Sequence, residues 1–89
     1  MLLVHRVEKI RATLRKRLPC FSSLSEARQG VLINMSFNLG VDGLMGFKQT
    51  LRYVAEGNYS AAADQMMGSR WADQVKGRAM ELSDIMRRG

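Results

Sequence analysis

The sequence is poor in the residues that build covalent cross-links and metal sites. Its 89 residues include one cysteine, one histidine and one proline. A single thiol, Cys20, excludes an internal disulfide, so we expect packing to stabilise the fold and Cys20 to be a small apolar filler. A metal site needs several clustered His, Cys or carboxylate ligands, which the distant His5 and Cys20 do not provide. The sequence therefore predicts no metal and no cofactor.

Long hydrophobic runs and strand patterns are also missing. No stretch of 18 apolar residues occurs, which excludes a membrane-spanning helix on length. The apolar start, residues 1–4, is too short for the core of a signal peptide. If the protein acts outside the cytoplasm, we expect another factor to export it. Val, Ile and Thr are sparse and never alternate over a useful length, so strands are not expected.

Helical periodicity is what the sequence does have. In the first segment, apolar residues recur every three or four positions, at Leu3, Val7, Ile10 and Leu14. This spacing predicts an amphipathic helix over residues 1–18. Pro19 is expected to end it, because proline disfavours helical geometry in the residue before it.

The second helix is predicted to be the central buried one. Ser25 is a suitable N-cap, and an apolar repeat every four residues follows it: Ala27, Val31, Met35 and Leu39. Further apolar residues make this helix nearly apolar all round. Gly40 is expected as its C-cap, with a short helical turn between Gly43 and Gly46.

Punctuating residues predict further helical segments. Asn58 or Ser60 caps one, Gly68 ends it, and Ser69 begins a short helix around Trp71. Apolar residues are expected to pack in three of these helices: Phe47, Leu51 and Val54 in the helix before Gly57, Tyr59, Ala62, Ala63, Met66 and Met67 in the next, and Val75, Ala79, Leu82, Ile85 and Met86 in the last. Together the patterns predict an all-α, compact multi-helix domain.

The charge is positive and lopsided. The net charge is +6, and residues 1–19 hold six Lys or Arg against Glu8 alone, a local balance of +5. Such a surface favours polyanionic partners: nucleic acid, anionic membrane or envelope polymers. The basic residues surround an apolar stripe, and no helix that could read nucleotide bases follows a tight turn. Nucleic acid is therefore the weaker alternative as a partner.

Two segments together carry a specific pattern. Residues 32–47 read LINMSFNLGVDGLMGF, and residues 69–79 read SRWADQVKGRA. In these segments the chain resembles the carboxy-terminal helical lobe of the phage-type lysozymes, the T4 lysozyme family of glycoside hydrolases. The resemblance implies that residues 1–18 are the helix connecting the two lobes of such an enzyme, and that residues 19–89 are its helical lobe.

The family's catalytic Glu, Asp and Thr lie in a smaller amino-terminal lobe, for which this chain shows no counterpart. Glycoside cleavage needs two carboxyl groups, one of them kept protonated by an apolar setting. None of the carboxylates here is expected in such a setting: Glu8, Glu26, Asp42, Glu56, Asp64, Asp73, Glu81 and Asp84. We therefore assign no catalytic residue and expect the chain alone to be inactive.

Five residues correspond to the family's cleft wall and are candidate substrate-binding residues: Phe37, Asn38, Ser69, Arg70 and Arg78. The resemblance places the Asn38 amide in the cleft, although the T4 enzyme has the longer Gln there. The alternative is a helix-end residue that bonds its own backbone. Arg78 matches the arginine that pairs across the cleft with the catalytic glutamate. Its alternative is a solvent-exposed helix arginine. Ser69 and Arg70 match weaker candidates for contacts to the peptide portion of peptidoglycan. The resemblance also implies a core position for Trp71, because the matching Trp of the T4 enzyme is largely core.

The resemblance implies a domain that binds peptidoglycan or, with a complementary lobe, cleaves between N-acetylmuramic acid and N-acetylglucosamine in host cell lysis. Synthesis in the bacterial host cytoplasm and action in the periplasm or on the cell wall follow from that role. Since residues 1–18 would contact the other lobe, we expect them to bind a complementary lobe or a second copy of the chain. The alternative is a small basic helical nucleic-acid-binding or regulatory protein.

Overall fold

The protein is described by a computed structural model that covers the backbone of residues 2–89 and the side chains of residues 8–89. This part of the chain forms six α-helices and one 3₁₀ turn: α1 (Leu2–Arg17), the turn (Phe21–Ser23), α2 (Glu26–Met45), α3 (Lys48–Glu56), α4 (Tyr59–Met67), α5 (Arg70–Val75) and α6 (Gly77–Arg88). No strand occurs in residues 2–89, so the predicted all-α class is confirmed.

Helix α1 ends beside the proline, as predicted. The Leu18 N–H donates to the Leu14 carbonyl at 2.8 Å, and Pro19 follows with no N–H to extend the ladder. Leu14 and Leu18 are both buried and join the core. The side chains of Leu3 and Val7, the first half of the predicted stripe, lie outside the described residues.

Helix α2 begins at its predicted cap and contains a break. The Ser25 hydroxyl accepts from the Arg28 N–H at 3.2 Å. At Gly40 the backbone leaves helical geometry, with φ 79° and ψ 160°, a region that only glycine enters readily. Gly40 is therefore an internal break rather than a C-cap. Helical structure resumes at Val41 and continues to Met45, with Gly46 as the C-cap, so the short turn ends where predicted and begins before Gly43.

Helix α2 is buried through its middle turns, as the predicted central helix requires, and is exposed near its start and near the break. Val31, Leu32 and Met35 are fully or almost fully buried. Ala27 lies on the exposed side near the start, and Phe37 is 37% exposed near the break. The middle turns of α2 therefore belong to the core, whereas its two ends reach solvent.

The core lies where helices α2, α4 and α6 meet. Ala62 and Ala63 are completely buried, and their small side chains let α6 approach α4 closely. Met66 and Met86 fill the space between these helices at 0% exposure. Cys20 is half-buried against this core.

Arg28 joins the start of α2 to the end of α6. Its Nε donates to the Met86 carbonyl at 2.8 Å, and Nη2 donates to the Arg87 carbonyl at 3.3 Å. The guanidinium carbon lies 3.4 Å from the centroid of the Tyr59 ring. One side chain thus satisfies terminal carbonyls of α6 and stacks on α4, which no sequence pattern indicated.

The carboxy-terminal helices differ from the prediction at two points. Val75 closes α5 rather than starting the last helix, because Lys76 interrupts the backbone with φ 36° and ψ −98°. Met67 and Ile85, expected to pack inward, are 40% and 38% exposed. The helical stripes therefore leave apolar side chains on the outer surface of α4 and α6.

Candidate functional site

The last turn before the Gly40 break presents Phe37 and Asn38. Both side chains are exposed. Phe37 lines a shallow groove of about 290 Å³ between α1 and α2, together with Lys9, Ile10, Ser36, Gly40 and Val41. The Asn38 Nδ2 donates to the Asn34 carbonyl at 3.2 Å. Its Oδ1 accepts no hydrogen bond from the described residues, so Asn38 both bonds its own helix and keeps an acceptor open.

Ser69 and Trp71 form the corner between α4 and α5. The Ser69 hydroxyl caps α5 by accepting from the Ala72 N–H at 3.3 Å, and it donates to the Met66 carbonyl at 2.6 Å. Trp71 is 2% exposed and meets the Phe47 ring edge-on, with centroids 6.4 Å apart. The predicted core position of Trp71 is confirmed. Ser69 is primarily a helix cap, since both of its hydrogen-bonding roles are used.

A second groove of about 290 Å³ opens next to Ser69, at the start of α3. It is lined by Gly46, Phe47, Lys48, Gln49, Thr50, Gln65, Gly68 and Ser69. Helix α3 has no side-chain cap, because Phe47 occupies the N-cap position. The N–H groups of Lys48, Gln49 and Thr50 therefore have no acceptor in the described part of the chain. These three donors and the helix dipole favour an acceptor or an anion in the groove.

Thr50 adds a side-chain donor to the same groove. The residue is only 2% exposed, lines the groove, and its hydroxyl makes no hydrogen bond with the described residues. The hydroxyl oxygen is not fully enclosed by the protein, so it can bond a ligand or water in the groove. Sequence reasoning missed this groove. Its only sequence signal is Phe47, a residue that cannot cap, at the start of a helix.

Arg70 and Arg78 supply one cation each at the starts of α5 and α6. Arg70 is the first residue of α5, and Arg78 lies in the first turn of α6. Both are exposed, and neither forms an ion pair with any carboxylate of residues 8–89. The strained Lys76 between the two helices sets the direction in which α6 leaves the corner. Both guanidinium groups are free to donate to a ligand.

The five predicted site residues come from three separate helix ends. Phe37 lines the groove beside α1, whereas Ser69 lines the groove at the start of α3. Within the described residues, no hydrogen bond or ion pair joins any two of the five. The five side chains therefore do not form one site connected by hydrogen bonds or ion pairs within the described residues. Their role in binding substrate stays a prediction.

The carboxylates of the chain are all on its surface. All eight Asp and Glu residues are exposed, and four of them form ion pairs with arginines at 2.7–3.6 Å: Asp42, Glu56, Asp64 and Asp84. No carboxyl group in residues 8–89 sits in the apolar setting that a general acid needs. No group of three metal-binding side chains occurs there either, and no helix in the described part is long and apolar enough to cross a membrane.

Known proteins are similar in sequence to this chain over most of its length. The chain is 29% identical over 69 residues to a protein named probable T4-type lysozyme 1 of Dictyostelium discoideum, a match that covers 78% of the chain. It is 32% identical over 71 residues, 80% of the chain, to the pre-baseplate central spike protein Gp5 of Enterobacteria phage T4. The chain is related to the phage-type lysozymes. No family model matches it.

The relationship to phage-type lysozymes concerns a part of those proteins. The matched segment covers 41% of probable T4-type lysozyme 1 and 12% of Gp5. A third relative, probable T4-type lysozyme 2 of Dictyostelium discoideum, is 26% identical over 69 residues, and the match again covers 41% of that protein. The chain therefore spans well under half the length of these curated relatives. A lysozyme-related helical domain without a buried carboxyl group agrees with that partial coverage.

Proposed function

We propose that this domain is the helical, substrate-holding lobe of a phage-type lysozyme and that it binds peptidoglycan. The observation that carries the proposal is the donor-rich groove at the start of α3, next to the Ser69 corner, in a chain related to phage-type lysozymes. Its three free N–H groups and the Thr50 hydroxyl suit carbonyl and carboxylate groups, which are abundant in the N-acetyl sugars and peptides of peptidoglycan.

The complementary lobe, on the same polypeptide or on another, supplies the catalytic carboxylates in this proposal. Acid-assisted cleavage between N-acetylmuramic acid and N-acetylglucosamine needs a protonated carboxyl group held next to the bond. The exposed carboxylates of residues 8–89 support assigning that chemistry elsewhere. Arg78 and Asn38 would line the helical side of the cleft, where a free guanidinium and an open amide oxygen can bind sugar or carboxylate groups.

Residues 1–18 would then connect the two lobes. The exposed cations of this helix within the described side chains, Lys9, Arg15, Lys16 and Arg17, add attraction to an anionic cell envelope. The proposed setting is host cell lysis, with synthesis in the bacterial cytoplasm and action in the periplasm or on the wall after export by another factor.

Retention on purified, insoluble peptidoglycan sacculi tests the binding role. We expect the chain to co-sediment with sacculi and the Thr50→Val variant to bind more weakly, because valine keeps the shape of threonine and removes its hydroxyl. Loss of one hydrogen bond should weaken binding by about tenfold. Arg78→Ala should weaken it as well, whereas the matched exposed change Arg52→Ala should not.

The same assay separates the alternative function. Steeply salt-dependent binding to random duplex DNA, without retention on sacculi, would favour the small basic nucleic-acid binder and contradict the proposal. Equal retention of Thr50→Val and the unmodified chain would remove the groove at α3 from the binding site.

A further inference from the structure

Six of the seven methionines, all except Met1, have described side chains, and these differ sharply in exposure. Three are completely buried at 0% exposure: Met35, Met66 and Met86. Met45 is half-buried against the core, whereas Met67 is 40% exposed and Met80 is 66% exposed. Met66 and Met67 are adjacent in α4, yet one lies in the core and the other contacts solvent. Exposed and buried thioethers therefore occur side by side in one small domain.

The two exposed methionines line one groove on the outer side of α4 and α6. The groove has a volume of about 470 Å³, and its lining residues are Met67, Met80, Glu81, Ser83, Asp84 and Arg87. It shares no lining residue with the grooves at Phe37 and Ser69. Since the groove is open to solvent and both methionines are exposed, a small oxidant such as hydrogen peroxide can reach their sulfur atoms.

Arg87 places a hydrogen-bond donor in the same groove. Its Nη2 donates to the Asp64 carboxylate at 2.7 Å, the one hydrogen bond that its side chain makes within residues 8–89. A guanidinium carries several N–H donors, so others are available to a new acceptor. The Ser83 hydroxyl, in contrast, already donates to the Met80 carbonyl at 3.0 Å. The groove thus offers a partner for the polar oxygen of a methionine sulfoxide.

We propose that Met67 and Met80 form a site of methionine sulfoxidation whose substrate is a peroxide. A lone pair on the thioether sulfur attacks an oxygen of hydrogen peroxide, so that an S–O bond forms and the O–O bond breaks. The leaving hydroxide takes the proton of the transferred oxygen and departs as water. The electron pair that the sulfur loses is gained by the peroxide, and no further reactant is required.

Oxidation at this site changes the groove without disturbing the core. A sulfoxide is polar and would disrupt packing at a buried position, whereas Met67 and Met80 already contact solvent. The lining of the groove becomes more polar, and reduction by a thiol-dependent methionine sulfoxide reductase restores it. The modification is therefore reversible and confined to the outer surface of α4 and α6.

Graded treatment of the folded chain with hydrogen peroxide, followed by tandem mass spectrometry of its peptides, tests this site. We expect Met80 to be oxidised first and Met67 next, both about tenfold or more faster than the three buried methionines, whose sulfur atoms do not contact solvent. Fragment ions that separate Met66 from Met67 give the sharpest comparison, because these residues are neighbours in the sequence. In concentrated urea, all the methionines should be oxidised at similar rates.

Leucine substitutions are the matched controls. Met67→Leu and Met80→Leu should each remove one early addition of oxygen, whereas Met66→Leu should keep both. After both additions, circular dichroism should show an unchanged helix content. Oxidation of Met66 or Met86 as fast as Met80 in the folded chain overturns the proposal. So does a loss of helix as soon as Met67 and Met80 are oxidised, since both side chains would then be part of the core.

Discussion

At the scale of single residues, Gly40 and Gly30 of helix α2 are alike in surroundings and opposite in backbone geometry. No atom would clash with an added Cβ at either position. Gly40 has φ 79° and ψ 160°, whereas Gly30 lies in the regular part of the helix. Since neither site is crowded, backbone geometry alone distinguishes them. The break at Gly40 needs glycine, whereas at Gly30 glycine lowers the stability of a regular helix.

Alanine substitution at the two glycines should therefore have opposite effects. We expect Gly40→Ala to lower the free energy of unfolding by about 1–3 kcal/mol, because alanine rarely adopts that geometry. Gly30→Ala should raise it by about 0.5–1 kcal/mol through helix propensity. Urea denaturation followed by circular dichroism measures both. A stabilising Gly40→Ala would mean that α2 continues unbroken past residue 40.

At the scale of elements, one arginine makes the side-chain hydrogen bonds that join the start of α2 to the end of α6. Arg28 donates to two carbonyls at the end of α6 and stacks on Tyr59, so its removal leaves the last turn of α6 without partners. We expect Arg28→Ala to cost about 1–3 kcal/mol of stability. Arg28→Lys keeps the cation over the ring and loses the two-pronged geometry, so its cost should be smaller.

Amide hydrogen exchange shows where that stability is lost. The last turn of α6 should exchange faster in Arg28→Ala, while α3, which Arg28 does not contact, should change only in proportion to global stability. Equally faster amide exchange in all helices, or unchanged exchange at the end of α6, would show that Arg28 does not hold the end of α6 in place.

The helices also show how far local sequence reasoning reaches. Caps and breakers act within a few residues, so Pro19 and Ser25 predicted helix limits and Ser69 predicted the start of α5. Features that depend on distant neighbours were missed or misplaced. Met67 and Ile85 fit an inward stripe by spacing, yet no neighbouring helix covers them.

The candidate site was predictable to a similar extent. The resemblance supplied Phe37, Asn38, Ser69, Arg70 and Arg78 residue by residue, and burial confirmed the neighbouring Trp71 as a core residue. The groove at α3 could not be read from side-chain types, because most of its donors are backbone N–H groups. Its position depends on α4 and the Ser69 corner folding back against the start of α3.

At the scale of the whole molecule, the proposed binding surface offers hydrogen-bond donors but, within residues 8–89, no buried carboxyl group. The described part of the chain is a small helical body, 31 × 27 × 22 Å, with donors in its grooves and every carboxylate on its surface. Binding through such donors does not require a general acid, whereas cleavage does. The central proposal follows: we propose that this lysozyme-related domain holds peptidoglycan and needs a complementary lobe to cleave it.

Release of reducing sugar ends from purified sacculi tests that claim most directly. The chain alone should release none above a no-protein control, at concentrations where it co-sediments with the sacculi. Addition of the amino-terminal lobe of a T4-type lysozyme should produce release that depends on both components and falls with Arg78→Ala. Sustained release by the chain alone, abolished by substituting one of its own eight carboxylates, would contradict the account.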